Sequence, residues 1–166
     1  SRDVLNKDIK FINTKTGDGE VKLYAKKELK GRKLEKNQFT FELKDAEGNV
    51  IETKSNDENG NVAFTPIKYY NNTDILKLDN PGDTATFDYT INEVIPDPIP
   101  KGYVYDDEVK EIHVTVTLKE DGSLDAQASD ATFVKPAVFN NEYTAKGTLE
   151  LDGTKEITGR PFDETK

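Results

Sequence analysis

Four stretches of the chain alternate apolar and polar residues with a period of two: FTFEL (39–43), TATFDYTINEV (84–94), EIHVTVTL (111–118) and AVFNNEY (137–143). Alternation of this kind gathers the apolar side chains on one face, so each stretch is predicted to be a strand with one side against a core. Between them lie DAEGNV, NDENGN, NPGD and EDGS, whose Asp, Asn and Gly residues tolerate tight hairpin geometry. No stretch carries a helical stripe. Many short strands with frequent turns predict an all-β chain folded as an immunoglobulin-like antiparallel β-sandwich. VIPDPIPKGY (94–103), with three prolines, is expected to be an extended loop or crossing rather than a central strand.

The pattern also repeats. Displaced by 128 positions, residues 11–34 match 139–162 without a gap, with nine identities in 24 positions, among them Phe11/Phe139, Asn13/Asn141, Lys27/Lys155 and Gly31/Gly159. Apolar positions are kept as well, since Val21, Leu29 and Leu34 face Leu149, Ile157 and Phe162. The chain therefore reads as a piece of a tandem array: residues 1–17 end one repeat, 18–145 form a complete one and 146–166 begin the next. The boundaries fall in TKTGDG (14–19) and TAKGT (144–148), which occupy equivalent places.

Composition narrows the partners. A net charge of −9 argues against nucleic acid and anionic membrane, both of which need clustered Lys and Arg. The sequence has no Cys, which excludes a disulfide framework and thiolate metal sites. No apolar run is long enough to span a bilayer, and SRDVLNKDIK has no apolar signal region, so any export signal or anchor is expected outside this fragment.

Three polar residues fall where the core should be. Val21, Leu23, Ala25, Lys27 and Leu29 share one strand face; Phe87, Tyr89, Ile91 and Glu93 share another; Phe139, Asn141 and Tyr143 a third. Each alone is compatible with a strand end at the rim or a snorkelling lysine. Together, and with the lysine and asparagine repeated as Lys155 and Asn13, they define a reactive set. Burial lowers the pKa of a lysine and raises that of a carboxyl, giving a neutral amine beside a protonated acid. Such an amine at Lys27 can attack the side-chain amide carbon of Asn141, while Glu93 polarises the amide oxygen and relays protons until ammonia leaves. The product is an isopeptide cross-link. The competing arrangement is a buried Lys27–Glu93 ion pair with Asn141 hydrogen-bonded to it, a poor source of stability because of its desolvation.

These residues resemble the isopeptide-forming domains of Gram-positive pilins and cell-wall adhesin stalks. AKKELKGRKLEKNQFTFEL (25–43) is similar to that family's opening A-x-K-x-L-x-G-R-x-L and F-x-F-x-L, YTINEV (89–94) to its Y-x-I-x-E box, and FNNEY (139–143) to its closing F-x-N-x-Y. The resemblance spans most of residues 20–145. It implies that Lys27 is the cross-linking lysine, Asn141 its acceptor and Glu93 the assisting acid, on first and last strands and one between. It further implies a cell-wall-attached extracellular stalk or spacer, with adjacent repeats as partners and no cofactor. No turnover is expected beyond the single self-reaction.

The rival reading is an adhesin module that binds matrix protein or glycan through loops 66–83 or 94–106, with Tyr69 and Tyr70 offered to a sugar. Other features carry less. His113 is predicted to face solvent, so neither a zinc site nor a Ser, His and Asp set is expected. DENGN (57–61) has Val62 where a calcium loop needs Gly and is predicted to be a hairpin turn, so no metal site is expected there either.

Overall fold

A computed structural model describes residues 18–145. The flanking Asn13 and Lys155 lie outside the described residues. Among the described residues there are eleven strands: β1 (Asp18–Val21), β2 (Tyr24–Lys30), β3 (Thr40–Lys44), β4 (Val50–Ser55), β5 (Asn61–Ala63), β6 (Ile67–Tyr70), β7 (Thr84–Glu93), β8 (Tyr103–Val104), β9 (Val109–Leu118), β10 (Leu124–Ala128) and β11 (Ala137–Tyr143). No helix occurs among the described residues that is long and apolar enough to cross a membrane.

The strands form a sandwich of the all-β, immunoglobulin-like kind that the alternation predicts. One layer is five-stranded, in the order β10-β9-β7-β3-β4, and the other four-stranded, β5-β2-β11-β8, with β1 and β6 paired beside them. Inward residues of both layers make one core, in which Leu23, Phe41, Leu43, Phe64, Ile91, Ile112, Val114, Val116 and Phe139 are essentially without solvent contact. Apart from Val109, outward positions on β7 and β9 are polar and meet as cross-strand neighbours, Thr84 with Thr117, Thr86 with Thr115 and Asp88 with His113. His113 is exposed and its Nδ1 lies 2.6 Å from Asp88.

Three features depart from the sequence reading. The pairing of β2 with β11 is parallel, Lys27 standing opposite Phe139 and Leu29 opposite Asn141. Side-chain alternation is the same in both pairings, so the sequence carries no signal for it. The turn at 57–61 does form, with the Asp57 carboxylate accepting the N–H groups of Asn59 and Asn61, but the strands it joins, β4 and β5, belong to different sheets. It is a corner. Asn56 is buried there, accepting the Phe39 N–H at 2.8 Å and donating to the Glu35 and Asp57 carbonyls. Finally, Tyr69 is buried with its hydroxyl 2.6 Å from that of Tyr89, so of the two tyrosines offered to a sugar only Tyr70 faces solvent.

The proline-rich segment is an exposed crossing, carrying the chain from the end of β7 in one sheet to β8 in the other.

Candidate functional site: a lysine, an acid and a carboxamide in the core

Strand alternation turns Lys27 inward from β2 and Asn141 inward from β11, next to one another in the same sheet. Glu93, the last residue of β7, comes from the facing sheet, where it sits opposite Phe41. The relative exposures are 1% for Lys27, 3% for Glu93 and 3% for Asn141, so all three are within the dry interior. Phe39 and Phe41 place their ring centroids 4.8 and 6.0 Å from Lys27 Nζ, and Phe139 packs on Phe41 at 5.3 Å.

One carboxyl group touches both other partners. Lys27 Nζ donates to Glu93 Oε1 at 2.9 Å, and Asn141 Nδ2 donates to Glu93 Oε2 at 2.7 Å. The main-chain N–H of Asp106 donates to Asn141 Oδ1 at 2.8 Å. A main-chain N–H can only donate, so the amide oxygen must face Asp106 and the amide nitrogen must face Glu93. The sequence reading set Glu93 against the oxygen; the structure sets it on the nitrogen, the side from which a leaving group departs.

Burial pushes the Lys27 ammonium below its ordinary range, against the raising effects of its hydrogen bond and charge contact with Glu93. Burial likewise pushes Glu93 above the usual carboxylate range, against the lowering influence of Lys27 and Asn141. Both directions favour the uncharged pair, an amine with a free lone pair beside a carboxylic acid.

The rim of the site explains two further residues of the quoted motifs. Gly31 has φ of 93°, and a Cβ there would stand 2.0 Å from the Tyr143 carbonyl oxygen, so only glycine lets the end of β2 pass β11. Arg32 lays its guanidinium 4.0 Å from the Tyr143 ring centroid and donates to the Tyr103 hydroxyl at 3.1 Å. Asp106 and Asn56 had no sequence signal, since each acts through main-chain groups or in a corner whose sheet change is invisible to alternation.

A β-sandwich with a lysine and a carboxamide side by side on adjacent strands, and an acid reaching both from the opposite sheet, defines a domain of the isopeptide-containing class. The profile of the FctA family, the Spy0128-like isopeptide containing domain, matches residues 23–144, and the chain belongs to that family. It is thus a pilin-type domain, of a kind found on extracellular surface proteins. Among curated proteins none matches the chain.

Proposed function

We propose that this domain is a stalk or spacer repeat of a cell-wall-attached adhesin or pilin, and that it closes on itself by an autocatalytic amide bond between Lys27 Nζ and Asn141 Cγ. The observation that carries this reading is the single buried carboxyl of Glu93 hydrogen-bonded to both prospective partners. Lys27 passes a proton to Glu93, and the freed amine adds to Cγ of Asn141. The Glu93 carboxylic acid delivers its proton to Nδ2 while its other oxygen takes one from the amine nitrogen. The Cγ–Nδ2 bond breaks and the ammonia leaves as ammonium, taking the remaining proton from Glu93, which returns to its starting carboxylate. Electrons stay paired throughout, so the step needs no redox partner. Holding the groups together replaces a bimolecular encounter, with effective molarities of about 10⁵ to 10⁸ M for well-oriented groups. A surface depression lined by Leu29, Val104 and Asn141 gives the ammonia a way out.

Each chain reacts once, so the domain has no turnover. Its output is mechanical. Tyr24, where β2 begins, and Tyr143, where β11 ends, lie at opposite ends of this parallel pair, so tension entering through β2 and leaving through β11 passes through the new bond rather than through the rest of the sandwich. Adjacent repeats of the same chain are its partners, and length and resistance to pulling and proteolysis its contribution to the array.

Pulling single molecules from both ends tests this. A Lys27→Ala chain releases the 113 residues from 28 to 140 on unfolding, a step of roughly 400 Å at full extension, and the parent never shows that step. A parent that unfolds with the same added length would overturn the mechanical reading.

A further inference from the structure

When an amine adds to Asn141 Cγ, the negative charge of the intermediate falls on Oδ1, which is buried away from water. Charge developing there needs a donor fixed in advance, because no solvent can reorganise to meet it. Glu93 cannot serve, since its two oxygens face Lys27 Nζ and Asn141 Nδ2. The only group in contact with Oδ1 among the hydrogen bonds of the described residues is the Asp106 N–H, at 2.8 Å.

Asp106 is held for this task by its own side chain. In continuation of the β8–β11 ladder, which pairs Val104 with Glu142, Asp106 stands beside Asn140. Its Oδ2 accepts the Asn140 N–H at 2.8 Å and its Oδ1 accepts the Glu108 N–H at 3.0 Å. One carboxylate therefore ties the loop to the residue next to the acceptor and closes the turn that presents the N–H. We propose that the main-chain N–H of Asp106 is the oxyanion donor of the cross-linking reaction, and that the Asp106 carboxylate is a positioning group that fixes it against Asn141. The inference rests on the cross-linking reading above, and it assigns a task to a residue outside the three recognised motifs.

Cell-free synthesis of the chain, sampled over time by intact mass, follows loss of ammonia directly. Removing one oxyanion donor lowers a rate by about 10² to 10³-fold, and Asp106→Ala, which loosens the donor, is expected to slow cross-linking by at least about tenfold. Asp106→Asn keeps an acceptor oxygen and is expected to fall between the two. Melting of Lys27→Ala chains with and without Asp106→Ala reports folding where no bond can form in either. Equal rates in the parent and in both Asp106 variants overturn the inference, whereas a parent that never loses ammonia overturns the cross-linking reading instead. If the double variant does not fold, amide exchange decides. In folded Lys27→Ala the Asp106 N–H is protected, and adding Asn141→Ala exposes it; unchanged exchange removes the contact on which the proposal stands.

Discussion

Glu93→Gln keeps the side-chain volume and removes the group proposed to shuttle protons between amine and amide. The variant is therefore expected to fold without forming the bond. Its stability loss has two sources. The proposed cross-link would close a loop of 113 residues between Lys27 and Asn141, and restricting the unfolded chain by a closure of that size contributes about 5 kcal/mol. In addition, Lys27 is left unreacted at 1% exposure with no acid to neutralise it, a cost of the same sign. Unfolding entropy of about 2.1 cal/mol/K per residue, over a domain of this length, converts 5 kcal/mol into a fall in Tm of about 15–20 °C. Thermal unfolding followed by circular dichroism measures it, with Lys27→Met as the control that loses the bond without leaving a buried amine. The expected order of Tm is parent, then Lys27→Met, then Glu93→Gln. A Glu93→Gln chain that melts with the parent would refute the reasoning, because neither the closure nor the stranded amine would then matter.

Other outcomes follow from single contacts. Gly31→Ala combines a left-handed φ with a clash against the Tyr143 carbonyl and should cost about 2–4 kcal/mol in urea unfolding. Asn56→Ala orphans the buried Phe39 N–H and two carbonyls, an expected loss of about 3 kcal/mol by the same assay, with cross-linking intact. In Lys27→Ala, Glu93 keeps the burial that raises its pKa and loses the amine that lowers it. The native state then holds a proton that the unfolded state releases, so stability is full below the ordinary carboxylate pKa and falls as pH rises through the elevated one. Urea midpoints from acid to neutral pH check this slope; a midpoint that rises with pH across that range would contradict it.

Much of the site was legible because a strand has only two faces. Lys27, Glu93 and Asn141 each continue an apolar series at spacing two, and that spacing alone sets them inward. What it does not set is which strands become neighbours. The parallel β2–β11 pairing, which puts Lys27 beside Asn141, and the passage of the chain between sheets at Asn56 are decided by packing of the whole sandwich. Asp106 was invisible for a different reason: its contact with Asn141 uses a main-chain N–H, which every residue except proline possesses. Tyr69 shows the opposite error, a residue assigned to a loop surface whose β6 alternation turns it into the core beside Tyr89.

The most direct measurement is tandem mass spectrometry of a proteolytic digest of the purified chain. The account predicts one branched peptide, in which the segment containing Lys27 is joined to the segment containing Asn141 with the loss of one ammonia, absent from the Lys27→Ala and Glu93→Gln digests. Recovery of both segments as separate linear peptides at their full masses would contradict it.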